Sequence, residues 1–259
     1  MSVESTDMEN GVRLIRFSGQ SATQSFSREF LPLIAKAIDA GLTHPNVRAM
    51  VLTGEGKFFS AGADIHAFQE AIDADEAPQL IRDLTGVLHP LLIRMRQSPT
   101  ICIAAINGAC AGGGLGLALA CDARIGSPSA KMAASYAGMG LSPDGGTTWL
   151  LPRLVGDQTS RRFFFENEIW SAEQAAAQGA IDALVGHDGL IEAATAMALR
   201  WSQWGNHTKE ATKHLLDVQS VQDFETHLKH ERTLIEAAGT TEAFKEGVAA
   251  FIEKRKPEF

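Results

Sequence analysis

The sequence predicts an α/β protein, with a largely parallel sheet wrapped by helices and a helical C-terminal region. Three observations carry that expectation. Short β-rich runs alternate with helical patterns through the first half, as successive βαβ units do. Two glycine-rich loops each follow a β run and open a helical one. Beyond Trp149 strand signals become sparse and helical periodicity dominates.

Taken in order, Val12 to Phe17 reads as a strand. Phe26 to Ala40 reads as a helix, with Phe30, Leu31, Ile34, Ala37 and Ile38 at helical spacing. Val47 to Thr53 is a second strand. Gly54, Gly56, Ser60 and Gly62 then mark residues 54–62 as irregular backbone. Helices are expected over Ala63 to Ile72 and Pro78 to Met95. A third strand, Thr100 to Ile106, ends at the Asn107-Gly108 turn signal. A glycine run, a helix reaching Ala120 and a strand near Asp122 to Ile125 follow. Helical patterns then cover Gln158 to Glu166, Ala172 to Gln178, Gly189 to Trp204, Thr208 to Val218, Phe224 to Ala238 and Thr241 to Lys254. This strand-poor end reads as an appendage, dividing the chain into a core, 1–195, and a helical region, 196–259.

The chain has 259 residues, 45% of them hydrophobic and 21% charged, which is ordinary for a globular protein with a sizeable core. A net charge of −8 argues against nucleic acid or an anionic membrane as partner. The local cluster Lys254-Arg255-Lys256 leaves room for an anionic small ligand. Cys102, Cys110 and Cys121 form no CxxC pair and have no paired His nearby, so they read as buried, reduced thiols. Met1 to Asn10 is polar and lacks the apolar core of a signal peptide. The longest apolar stretch, Ile101 to Ala120, is broken by Asn107 and five glycines, a poor membrane helix. A cytoplasmic location is expected.

The first loop runs from Phe58 to Ile65 and the second from Asn107 to Gly116. Helix starts carry unpaired N–H groups and the positive end of the dipole, so both loops suit an anion or oxyanion. Taken alone, such a loop is better explained by tight packing than by ligand binding. The second loop is neither GxGxxG with a trailing acid nor GxxxxGK[ST], which disfavours a dinucleotide or triphosphate.

Together these segments resemble the crotonase, or enoyl-CoA hydratase/isomerase, family. Phe59-Ser60-Ala61-Gly62-Ala63-Asp64-Ile65 is similar to its FxAGADI segment. Asn107-Gly108 through Gly114 to Cys121-Asp122 is similar to NGxAxGGGxxLAxxCD, with Cys110 in place of the usual Ala. Gly140-Leu141-Ser142-Pro143-Asp144-Gly145-Gly146-Thr147 and Phe244 to Arg255 fit further downstream.

The resemblance implies a spiral of ββα units with a helical C-terminal trimerisation region, in a homotrimer or a dimer of trimers. It implies an acyl-CoA thioester substrate, with coenzyme A entering as part of that substrate and no metal or bound cofactor. The thioester oxygen would meet the backbone N–H groups of Ala63 and Gly113. Such preorganised donors stabilise an enolate oxygen by about 3–4 kcal/mol each. Gly113 would let the thioester come close. Ala61, Asp64, Ile65, Gly112, Tyr136 and Met139 would line the substrate site, and Lys57 and Lys254 would reach coenzyme A. Each has a plainer reading: a cap for Asp64, a pocket wall for Tyr136, a solvated surface for the lysines. Asp122 reads as structural, in a cap or an ion pair. His66 has no partner pattern.

Both hydratase glutamates of the family are missing: their positions hold Gly116 and Tyr136. Asp144 stands instead where ring-opening isomerases of phenylacetyl-CoA breakdown and aryl-CoA dehalogenases carry an aspartate. The expected activity is enoyl-CoA isomerisation with Asp144 as single acid/base, its carboxyl set in an apolar pocket. Helix capping is the alternative role for Asp144. Hydration, thioester hydrolysis, dehalogenation and silent acyl-CoA binding are the competing activities.

Overall fold

A computed structural model describes residues 3–259. Its strands form two sheets. The chain opens with β1 (Val3–Asp7) and β2 (Val12–Phe17), an antiparallel pair. Helices α1 (Gln20–Thr23) and α2 (Phe30–Leu42) lead to β3 (Ala49–Gly54) and β4 (Phe58–Ser60). Helices α3 (Ile65–Asp73) and α4 (Ala77–Gln97) follow, then β5 (Ile101–Ile106), β6 (Ala109–Ala111) and α5 (Gly113–Ala120). The next turn is β7 (Ala123–Gly126), β8 (Lys131–Ala133), α6 (Thr147–Val155) and α7 (Asp157–Phe165). Strand β9 (Ile169–Ser171), α8 (Ala172–Ala177) and β10 (Ala183–Leu184) complete the sheets. Helices α9 (Leu190–Ser202), α10 (Asn206–Val218), α11 (Phe224–Ala238) and α12 (Glu242–Glu253) close the chain.

The six-stranded sheet has the order β1-β2-β3-β5-β7-β10 and the four-stranded one β4-β6-β8-β9. Each pair β3–β4, β5–β6 and β7–β8 therefore gives one strand to each sheet before a helix returns the chain. That is the spiral of ββα turns.

Strands β3 and β5 are buried on both faces, which explains their unbroken apolar runs AMVL and ICIAAI. Met50, Leu52, Cys102 and Ala104 face the main core with α2 and α4. Ala49, Val51, Ile101 and Ile103 face Leu190, Ala194 and Ala198 of α9. The division after residue 195 thus falls inside α9, a helix packed on the large sheet. Helix α5 is apolar all round and almost wholly buried, as a central helix must be.

Residues 54–62 are not irregular throughout. Phe58–Ser60 forms β4, whose parallel partner β6 lies about fifty residues on, Phe58 opposite Ala109 and Ser60 opposite Cys110. Phe59 is fully buried and meets Phe17 edge-on at 5.9 Å between ring centres. The Asn107 amide ties this crossing together. Its oxygen accepts from the Gly54 N–H (2.9 Å), and its nitrogen donates to the carbonyls of Gly56 (3.2 Å) and Phe58 (3.0 Å).

The three cysteines are buried and unpaired, and burial pushes the Cys102 thiol up to about 12. Among the described residues no helix is long and apolar enough to cross a membrane. The C-terminal basic cluster is partly spent, because Arg255 pairs with Glu246 and Glu253.

Candidate active site

Pairing of β4 with β6 sets the two glycine-rich loops side by side at the ends of those strands. In the first, the Ala61 N–H donates to the Ala22 carbonyl at 2.9 Å, and Ala63 forms an isolated bridge with Phe26. The Asp64 carboxylate accepts from the N–H groups of His66 (3.0 Å) and Ala67 (3.4 Å) and so caps α3. In the second loop Gly112 takes φ +53° and ψ −126° as the N-cap of α5, a conformation that essentially only glycine adopts. Gly113 then begins α5, where a helix leaves its N–H groups without intrahelical partners. Among the described residues neither the Ala63 nor the Gly113 N–H has an acceptor. Two free donors therefore stand on adjoining loops at helix starts.

Gly113 owes its lack of a side chain first to Phe26. A Cβ there would lie 2.6 Å from the Phe26 ring. Gly116, one turn further along α5, is held just as closely. Its Cβ would lie 2.6 Å from the Gly145 carbonyl oxygen. The space beside Gly116 on α5 is therefore filled by the backbone of the 144–146 loop. A Cβ added at Gly145 (φ +59°) would meet Leu88 and Leu92 of α4 as well as the Gly116 Cα, so the loop is wedged where α4 and α5 meet.

That wedge fixes Asp144. Its carbonyl accepts from the N–H (3.2 Å) and hydroxyl (2.9 Å) of Thr147 and from the Tyr136 hydroxyl (3.3 Å). The residue capping α6 is Gly146, which offers no side chain, so the Asp144 carboxylate is not a helix cap. It points instead to His89 of α4, with Oδ2 3.7 Å from the imidazole Nε2. The carboxylate is 34% exposed and the imidazole 47% exposed. The enclosed apolar pocket expected around Asp144 is thus not provided by this chain alone. His89 is the site residue that the sequence motifs do not mark.

Tyr136 is buried, and burial, then the neighbouring Asp144 carboxylate, push its phenol well above its ordinary range. It is a neutral wall with a hydroxyl donor. Ile65 and Met139 are half exposed. Lys57 is exposed beside the first loop, and exposed Lys254 ends α12 in a left-handed turn. Neither lysine side chain makes a hydrogen bond or ion pair with the loop residues among those described. His66 is exposed. Ser60 is buried and donates to the Ser25 hydroxyl at 2.9 Å, which excludes it as an accessible nucleophile. Asp122 accepts from the Cys102 N–H (2.8 Å) and the Lys213 ammonium (3.1 Å), an ion-pairing role at the edge of the core.

Known proteins carry the same organisation. Residues 7–259 match the family described as enoyl-CoA hydratase/isomerase. The chain is 31% identical to 1,2-epoxyphenylacetyl-CoA isomerase of Escherichia coli (strain K12), over 97% of this chain and 96% of that protein. It is 30% identical to crotonyl-CoA hydratase of Syntrophomonas wolfei, over 98% and 96% of the two chains. The crystal structure of enoyl-CoA hydratase from Bacillus anthracis superposes with a TM-score of 0.89 at 27% identity, covering 100% of this chain and 99% of that one. Its neighbours thus include both isomerases and hydratases, while the ββα spiral, the adjoining loops and a match along nearly the full length agree: the chain belongs to the enoyl-CoA hydratase/isomerase family and has the crotonase fold.

Proposed function

We propose that the protein is an enoyl-CoA isomerase in which Asp144 is the single acid/base. The observation that carries this reading is the Gly116–Gly145 contact. It removes the room for a carboxylate on α5 and sets the residue after Asp144 against α5, about one turn from Gly113. Gly113 and Gly116 are just under one turn apart, about 4.5 Å along the helix. An acyl chain whose thioester oxygen meets the Ala63 and Gly113 N–H groups would run past Asp144.

In that pose the Asp144 carboxylate takes a proton from the carbon next to the thioester carbonyl. The C–H electron pair moves into the carbonyl, and the oxyanion is held by the two N–H groups. The same carboxyl returns a proton to the γ carbon, so the double bond passes from the 3,4 to the 2,3 position. One carboxylate suffices because it has only to take one proton and give one back. Coenzyme A enters as part of the substrate. Exposed apolar side chains on the C-terminal helices, including Phe224, Ile235, Phe251 and Ile252, support assembly as a homotrimer or a dimer of trimers.

The test is a spectrophotometric assay of 3-enoyl-CoA and 2-enoyl-CoA with wild type and Asp144→Asn. Formation of 2-enoyl-CoA should fall by about 10²–10⁴ in the variant. Rapid hydration of 2-enoyl-CoA untouched by the substitution would overturn the mechanism. Water addition is the second reading, favoured by the exposure of the Asp144 carboxylate.

A further inference from the structure

We propose that His89 is the route by which the proton held on Asp144 exchanges with solvent during turnover. This rests on the isomerase reading above. A Cβ added at Gly145 would meet Leu88 at 3.4 Å, the Gly116 Cα at 3.5 Å and Leu92 at 4.0 Å, so the loop packs where α4 and α5 approach each other. His89 follows Leu88 directly, so the contact that fixes the loop also sets the imidazole opposite the carboxylate, Nε2 to Oδ2 at 3.7 Å. That separation is slightly beyond a direct hydrogen bond and closes by a small side-chain rotation or one bridging water.

An acyl chain lying over the first turn of α5 covers the α5 side of the carboxylate. On the α4 side stands the His89 imidazole, itself nearly half exposed. Imidazole has two ring nitrogens, so it can accept a proton at one and release another to water from the other.

The step balances as follows. The substrate C–H bond breaks and an O–H bond forms on Asp144. Neutral His89 accepts that proton at Nε2 and gives its Nδ1 proton to water. The reverse path brings a solvent proton back to Asp144, which delivers it to the γ carbon. The product then carries solvent hydrogen at the γ position instead of the hydrogen removed from the α position. His89 acts through Asp144 and is a positioning and relay residue, not one that touches substrate.

The experiment is isomerisation of 3-enoyl-CoA in deuterium oxide by wild type, His89→Gln and His89→Ala, with product deuterium measured by mass spectrometry at low conversion. Wild type should give product largely deuterated at the γ carbon. In His89→Gln the ratio of deuterium incorporation to turnover should drop at least fivefold. Free imidazole added to His89→Ala should restore that ratio, a rescue that a purely structural role would not permit. An unchanged ratio in both variants, while wild type isomerises, overturns the relay alone. Absence of isomerisation by wild type overturns the reading on which the relay rests.

Discussion

Replacing Gly116 by alanine puts the proposed placement of Asp144 to a direct test. The added Cβ would lie 2.6 Å from the Gly145 oxygen, 3.1 Å from its Cα and 3.2 Å from its carbonyl carbon. An ordinary contact needs about 3.4 Å or more, and the opposing atoms are backbone, which no rotamer can move aside. The 144–146 loop must therefore retreat from α5 by on the order of 1 Å, toward Leu88 and Leu92, which are already packed. Overpacking of this kind costs about 1–3 kcal/mol, or a few degrees in melting temperature for a chain of this size. A 1 Å displacement of the acid/base group costs roughly 10² in rate. Calorimetry and the rate of 3-enoyl-CoA isomerisation read the two effects separately. Gly116→Glu should be worse still and should confer no hydratase activity, since the loop occupies the space where the carboxylate would have to stand. Full activity with an unchanged melting temperature in Gly116→Ala would refute the argument that this contact sets Asp144.

Two further expectations concern buried lysines outside the site. Lys213 donates to the carbonyls of Met95 (3.0 Å) and Thr100 (3.1 Å) and pairs with Asp122, so Lys213→Met leaves a nearly buried carboxylate without its cation. A loss of about 3–5 kcal/mol is expected by chemical denaturation, partly recovered in Lys213→Met/Asp122→Asn. Lys209 is also buried, and burial, helped by the Arg48 and Lys213 charges, pulls its ammonium down to about 8 from 10.5. At pH 7 it is charged in both folded and unfolded chains, so the whole burial penalty is present, and Lys209→Met should gain about 1–3 kcal/mol. Between about pH 8 and 10.5 the unfolded chain holds more protons, so wild-type stability attributable to this group rises with pH and the gain of the variant shrinks. Urea titrations at pH 7 and pH 9.5 compare the two, and a gain independent of pH would sink the assignment.

The sequence makes the four central strands of the large sheet legible and the small sheet nearly invisible. Strands β2, β3, β5 and β7 are four to six residues long and mostly buried, and β3 and β5 read as apolar runs because both their faces are covered. Strands β4, β6 and β8 have three residues each and gain their partners only when the spiral brings distant turns together. No local pattern marks a three-residue strand, so Phe58–Ser60 reads as loop until its pairing with β6 is known. Strand β1 hides for another reason. It is a polar, exposed edge strand, Val-Glu-Ser-Thr-Asp, without alternation to betray it. The glycine loops, by contrast, are legible because backbone demands leave residue-type signatures.

The site divides in the same way. Asp144 is visible in sequence because it stands in a glycine-rich segment whose neighbours are constrained, Gly145 and Gly146 at positive φ and Gly116 against them. His89 gives no such sign. It lies within α4 beside the stripe Leu84, Leu88, Leu91, Leu92 and Met95, where helical periodicity predicts only a boundary residue between core and solvent. What gives it a role is the loop that packs on that stripe: once Leu88 and Leu92 receive Gly145, the next side chain on α4 must face the residue before Gly145. A histidine there meets a carboxylate. The pairing follows from a contact between elements more than fifty residues apart, which a periodicity on α4 or a motif around Asp144, taken separately, cannot encode.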